Sequence, residues 1–309
     1  MRAVRVTELG GPESLTLVEV DEPAADGGIV VDVHAAGVAF PDALLTRGLY
    51  QYRPELPFTL GAELAGVVRE APKGAHVKPG DRVLGLTMLG GAMAETAVLA
   101  AERVFPLPDN VSFEAGAGLL FNDLTVYFAL TTRARLARGE TMLVHGAAGG
   151  IGTSTLRLAP ALGASRVIAV VSTEEKKDVA CAAGATDVVL ADGFKDAVAE
   201  LTGGKGVDIV MDPVGGDRFT DSLRSLSPGG RLLVVGFTGG EIPTVKVNRL
   251  LLNNVDVVGV GWGAWTMTHP NSLTEQWEGL AALLKSGTLA APQPDVYPLA
   301  RAAEAVAAL

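Results

Sequence analysis

The segment from Thr141 to Gly152, TMLVHGAAGGIG, has the residue types that hold a dinucleotide's pyrophosphate: an apolar strand runs into a turn of small residues that opens a helix. Ala147, Gly149 and Gly152 fill the three small-residue places of a G-x-G-x-x-G turn, so the backbone can approach a phosphate and the helix can pack against its strand. The helix N-terminus adds unpaired N–H groups and a positive dipole end. Cofactor choice is read at the end of the next strand, where a site for NAD places Asp or Glu on the ribose 2′-hydroxyl, about 20 residues past the glycines. Val171 stands at that place, followed by the small hydroxyls of Ser172 and Thr173 and, one helical turn on, by Lys176. A cation there suits a 2′-phosphate, so NADPH is the expected cofactor. The competing reading has Glu174 and Glu175 repelling the phosphate, with Lys176 and Lys177 only a solvated helix face.

The elements that must hold this site alternate between strand and helix. Strands are expected at Arg166–Val171, Asp187–Leu190, Val207–Asp212, Arg231–Gly236 and Val255–Gly259, with helical stretches at Glu174–Ala183 and up to Thr202. Continuous apolar runs of this length, bounded by Gly, Asp and Pro, read as strands buried on both faces of a parallel sheet. The expected fold class is therefore α/β, with a doubly wound sheet whose ligand crevice lies at the strand C-termini. Before Leu120 the texture changes to short strands between turns, at Ala3–Thr7, Leu15–Val20, Ile29–Ala35, Gly66–Glu70, Arg82–Leu86 and Ala94–Leu99, as in a small antiparallel barrel. A helix over Thr274–Ser286 follows the nucleotide-domain pattern. Pro160, ten residues into the helix after the glycines, is expected to interrupt it.

At 309 residues and 48% hydrophobic, the chain can bury a large core and holds two domains. A net charge of −10 and a pI near 4.9 argue against nucleic-acid or acidic-membrane surfaces. The lone Cys181 excludes an internal disulfide framework and is expected in the core, mid-helix. The first strand begins at Met1 with no signal-like region ahead of it, and no run of 18 apolar residues occurs. A cytoplasmic protein without a membrane partner is expected.

Several phrases in fixed order resemble the quinone oxidoreductase branch of the medium-chain dehydrogenase/reductase superfamily: GVAFPD (Gly37–Asp42), LPFTLGAELAG (Leu56–Gly66), PGDRV (Pro79–Val83), HGAAGGIG (His145–Gly152), DPVGG (Asp212–Gly216) and GGRLLVVGF (Gly229–Phe237). The resemblance implies a GroES-like antiparallel barrel as a catalytic domain over residues 1–121, a Rossmann NADPH-binding domain over 122–264, and a return segment over 265–309. It implies a homodimer joined through the nucleotide domain, and hydride transfer from NADPH to quinones or activated alkenes. Carried over by position, the cofactor contacts are Asn122 and Thr125 at the domain junction, Gly149, Gly150 and Ile151 at the pyrophosphate, Ser172 and Lys176 at the 2′-phosphate, and Phe237, Thr238, Gly261 and Trp262 beside the nicotinamide. Phe40, Asp42 and Tyr50, on one loop, are the candidates for the substrate side. Trp262 and Trp265 either pack on substrate or fill an interface.

Zinc dehydrogenases of the superfamily carry a Cys and a His-Glu pair where this chain has Ala39 and Ala62–Glu63, and the four histidines, His34, His76, His145 and His269, lack ligand spacing. One carboxylate cannot make a tetrahedral site, so no metal is expected. His145, ending a buried strand, is expected to be structural. Without a Lewis acid the acceptor must already be electrophilic, and the protein need only align it and exclude water. A hydrogen bond or proton from Tyr50, Tyr52 or solvent completes the reaction. The expected function is a zinc-independent, NADPH-dependent quinone reductase. The alternatives are an enone or enoyl thioester reductase on the same scaffold, and a non-catalytic NADPH-binding sensor or structural protein. Two departures from the family bear on these. Ala39 replaces the amide of the common GVNFPD, and the sequence stops at Leu309 where relatives continue into a last strand.

Overall fold

Short strands separated by turns build two antiparallel sheets in the unit formed by Met1–Asn122 and Leu273–Leu309, in a computed structural model that describes residues 1–87 and 90–309. The strands are β1 (Arg2–Val6), β2 (Leu15–Glu19), β3 (Ile29–Ala36), β4 (Phe58–Thr59), β5 (Glu63–Glu70), β6 (Arg82–Leu86), β7 (Thr96–Leu99) and β8 (Val104–Pro106). One sheet has the order β2-β1-β4 and the other β7-β3-β5-β6-β8. An isolated bridge from Ala3 to Ala94 links them. Ladder bonding is thus divided between two bridged sheets where the sequence suggests a small barrel. Ile29, Val31, Leu64, Val68, Val83, Leu99 and Val104 form the core of the larger sheet.

The first segment of this unit also forms the short helices α1 (Phe40–Thr46) and α2 (Phe113–Gly116). In the second unit, Asp123–Ser272, helix α3 (Leu124–Phe128) runs into a π-helical turn at Ala129–Arg133. Then strand and helix alternate: β9 (Thr141–Val144), α4 (Gly150–Ala161), β10 (Arg166–Val171), α5 (Lys176–Ala182), β11 (Asp187–Leu190), α6 (Phe194–Leu201), β12 (Val207–Asp212), α7 (Phe219–Arg224), β13 (Leu226–Val234), α8 (Asn248–Asn253), β14 (Asp256–Gly259) and α9 (Trp262–Thr268). All six strands pair in parallel, in the order β11-β10-β9-β12-β13-β14. Winding reverses at β9, so the C-terminal ends of β9 and β12 flank the switch point where doubly wound sheets bind ligands. Helix α10 (Ser272–Lys285) leads back to the first unit, where Ala302 and Val306 of α11 (Ala302–Ala307) pack with Val4, Val6 and Leu60.

Two expectations need correction. Pro160 does not break α4: it is exposed in the last turn, and Leu162 N–H still reaches Leu158 O at 2.9 Å. The missing donor costs one bond near a helix end. Cys181 is exposed rather than core, on the outer face of α5.

The core of the second unit contains one ionisable ring. His145, 1% exposed, follows β9, meets Phe194 edge-on at 4.9 Å, and bonds Ser222 Oγ through Nε2 at 2.8 Å. The serine hydroxyl donates to Arg218 O at 3.0 Å. Burial, which outweighs the nearby Asp212 charge, lowers the His145 pKa to about 4, with Arg218 acting in the same direction as burial. The ring is therefore neutral in the folded protein, Nε2–H donates to Ser222, and Nδ1 is buried without a hydrogen-bond partner. An unfolded histidine takes up its proton near pH 6.5. Between pH 6.5 and about 4 the unfolded chain binds a proton that the folded one refuses, so this site's contribution to stability falls as the pH falls, by about 3 kcal/mol across the window. His145→Gln should flatten the stability profile over that range, measured by urea unfolding at a series of pH values. An unaltered slope would show that the ring does not titrate in this way.

Candidate active site

The turn after β9 is built around contacts that leave no room for side chains. Gly146 has φ +57 and starts the turn in the left-handed region, a conformation that favours glycine. A Cβ on Gly152 would lie 2.2 Å from Gly146 O and 2.5 Å from Ala147 Cα, so the first turn of α4 rests directly on the loop. At Gly149 a Cβ would meet only Gly146 O, at 3.4 Å, and Gly149 and Gly150 are exposed. Gly149 N–H is bonded to Gly146 O at 2.9 Å. The N–H groups of Gly150, Ile151 and Gly152, in the first turn of α4, have no acceptor within the helix. The arrangement is an open, positive-ended cradle suited to a phosphate. The glycine pattern placed Gly149 and Gly152 but credited Ala147 with the first position. The residue that makes the turn is Gly146, and its signal was the His-Gly step at the strand end.

At the end of β10, Val171 is only 2% exposed, whereas Ser172 and Lys176 are open to solvent. Lys177 pairs with Glu174 at 2.8 Å. The carboxyl of Glu175 is lowered chiefly by a hydrogen bond with the Thr173 side chain. Both neighbouring acids are thus engaged, and Lys176 has no ion pair among the described residues. Along the same strand ends, Asp212 Oδ1 accepts the N–H groups of Val214 and Gly215 at 2.9 Å. This holds a loop onto which Thr238 and Gly239 bond, through Pro213 O and Val214 O at 3.0 Å each. Phe237 is 39% exposed beside Thr238, and Gly261 precedes the buried Trp262 at the start of α9. Residues expected at the pyrophosphate, 2′-phosphate and nicotinamide therefore share one edge of the sheet. Thr125 lies on α3, largely buried. Trp265 packs within this unit, tilted on Phe128 at 5.4 Å and stacked on His269 at 3.7 Å.

Asn122, Phe40, Asp42 and Tyr50 belong to the other unit. Phe40–Thr46 is helical, not loop: Ala39 caps α1, and its N–H donates to Asp42 Oδ2 at 2.8 Å. Asp42 is 1% exposed and so is no pocket wall, which corrects the sequence reading. Burial raises its pKa to about 7 against the pull of the Ala39 N–H. Tyr50 is half-buried against the Val4–Leu60 cluster, and its phenol is raised by burial and then by the Asp42 charge. Phe40 is 37% exposed. Tyr50 thus keeps its proton, while the Asp42 carboxyl exchanges one near neutrality.

Glu63, 2% exposed, accepts the N–H groups of Leu120 and Phe121 on Oε2, both at 2.9 Å. The carboxylate at the superfamily's metal position is thus used on backbone, and its neighbours Ala39 and Ala62 have no donor atoms. Among the described residues no three His, Cys, Asp or Glu side chains converge as a metal ion requires. This donor set does not fit zinc.

Residues 25–109 match the alcohol dehydrogenase GroES-like domain and residues 150–286 the zinc-binding dehydrogenase domain. The chain is 42% identical to rat quinone oxidoreductase-like protein 2 over 268 residues, 85% of this chain and 76% of that protein. Among solved structures, a probable oxidoreductase from Mycobacterium abscessus matches with a TM-score of 0.89 at 43% identity, covering 99% of this chain and 94% of that one. Escherichia coli quinone oxidoreductase, solved in complex with NADPH, matches with a TM-score of 0.86 at 33% identity, covering 99% and 95%. With its six parallel strands wound in Rossmann order, its glycine-built phosphate turn and a GroES-like first unit, the chain belongs to the quinone oxidoreductase branch of the medium-chain dehydrogenase/reductase superfamily.

Proposed function

We propose that this protein is a zinc-independent oxidoreductase that transfers hydride from NADPH to a quinone. The observation that carries the reading is the pairing of an open phosphate cradle at Gly149 with an uncommitted Lys176 one helical turn past Val171, which stands where an NAD site would need an acid. When bound, NADPH supplies the hydride. The N–H groups of Gly150 and Ile151 hold the pyrophosphate, Ser172 and Lys176 hold the 2′-phosphate, and Asn122 and Thr125 complete the cofactor contacts. Phe237, Thr238, Gly261 and Trp262 wall the nicotinamide. A quinone needs no Lewis acid, because the charge it accepts spreads onto its own oxygens. Tyr50, whose phenol is held protonated by burial and by the Asp42 charge, is the candidate proton donor to that oxygen, and Phe40 a candidate wall for the acceptor. We further assign a homodimer: β14 is an edge strand, and Ile242, Val247, Leu251, Leu252 and Met267 are each between 71% and 76% exposed nearby in the sequence.

Two glycines separate binding from folding. Gly149→Val fills the open side of the cradle without a positive φ, so NADPH binding should be lost while the circular dichroism spectrum and melting temperature stay near wild type. Gly152→Ala drives a methyl onto Gly146 O and should lower the melting temperature itself. Normal NADPH affinity in Gly149→Val would place the cofactor elsewhere.

Cofactor choice can be read from kcat/KM for NADPH and NADH at fixed ionic strength. Lys176→Ala removes a charge-assisted bond to the 2′-phosphate, and at a solvent-open site the loss should be about tenfold for NADPH, with NADH almost unaffected. Because Val171 is buried, the acid that would favour NADH belongs at the exposed Ser172. Ser172→Asp combined with Lys176→Ala should invert the preference. An unchanged NADPH to NADH ratio in the double variant would sink the assignment.

A further inference from the structure

A buried ion pair lies below the phosphate end of α4, and the chemistry above makes no use of it. Asp123 is completely buried, and the side chain of Arg157 is 13% exposed. Arg157 Nη2 donates to Asp123 Oδ1 at 2.6 Å and Oδ2 at 2.8 Å, and the buried Ser154 hydroxyl also donates to Oδ1. Ser154 and Arg157 are three residues apart and so share one face of α4, about one and two turns from its phosphate-binding end. Asp123 directly precedes α3, which packs against α4, and Thr125 lies two residues further on.

Replacing a buried ion pair with apolar residues of similar volume is often neutral or stabilising, so stability alone is a weak reason to keep one. Directional bonds do something that apolar contact does not. Leu124, Val126, Leu156 and Ala159 supply buried surface on these helices, and non-directional burial changes little when one helix slides along another. A three-point carboxylate contact does change, because its geometry tolerates only tenths of an ångström.

We propose that Asp123, Arg157 and Ser154 are positioning residues that lock the register of α4 against α3, and so set the spacing between the pyrophosphate cradle and the cofactor contact at Thr125, which adenosine and its phosphates do not reach. The inference rests on the NADPH reading and adds a residue set to it. Its signature is a split between two ligands. Adenosine 2′,5′-bisphosphate carries the 2′-phosphate and adenosine but no nicotinamide, so it samples only one end of the span.

The test compares dissociation constants of NADPH and adenosine 2′,5′-bisphosphate by calorimetry, in wild type, Asp123→Leu/Arg157→Met and Asp123→Asn. In the double variant NADPH should bind about tenfold more weakly, as expected for a misplacement of under an ångström. Adenosine 2′,5′-bisphosphate should bind as in wild type, and the melting temperature should hold. Asp123→Asn keeps one acceptor oxygen, Oδ1, which can take both the Arg157 and the Ser154 donor, and should recover part of the loss. If the double variant does not fold, Ser154→Ala removes one arm of the lock and supports the same comparison. Equal weakening of both ligands, or unchanged NADPH affinity, overturns the lock. Wild-type protein that binds neither ligand overturns the cofactor reading, and the lock with it.

Discussion

The site depends on one close approach, that of the first turn of α4 to the loop leaving β9. A hydrogen in place of a methyl at Gly152 lets the helix rest on Gly146 O, where a Cβ would stand 2.2 Å away. That contact aims the helix N-terminus at the C-terminal edge of the sheet. It also puts the free N–H groups of Gly150 and Ile151 at the point where strand order reverses. The exposed residues after β10, β13 and β14 lie along the same sheet edge as this helix end.

The protein buries ionisable groups in four different ways. His145 is kept neutral, one nitrogen bonded to Ser222 and the other without a partner. Glu63 is satisfied by two backbone N–H groups. Asp123 is paired with Arg157. Asp42 is drawn down by backbone bonds from Ala39 and Gly61, yet burial still raises its pKa to about 7. An uncompensated carboxyl costs stability as it ionises, since the unfolded chain releases that proton at a lower pH. The first three groups hold elements in place. Asp42, with its pKa raised to about 7, acts on the phenol of Tyr50.

The superfamily's metal position shows how one scaffold serves different chemistry. Ala39 and Ala62 bring methyl groups where thiolate and imidazole would be needed, and Glu63 turns to the backbone of Leu120 and Phe121. What remains is a packed polar joint in the first unit.

Local information was enough for much of this. The apolar runs from Arg166 to Gly259 and the spacing of Gly149 and Gly152 marked a parallel, doubly wound sheet with a phosphate turn, because strand burial and glycine geometry act over a few residues. The family resemblance likewise marked Lys176 and Phe237 as candidates, and its phrases carry Ala39 and Ala62 at the metal-ligand places. Other features depend on neighbours distant in sequence and were decided by tertiary structure. Cys181 is exposed, and Asp42 faces inward to cap a helix that read as loop. Glu174 takes Lys177 and leaves Lys176 uncommitted. Asp123 meets Arg157 across 34 positions. Residue type and spacing specify which element forms, but the partner of a buried charge is chosen only when those elements pack.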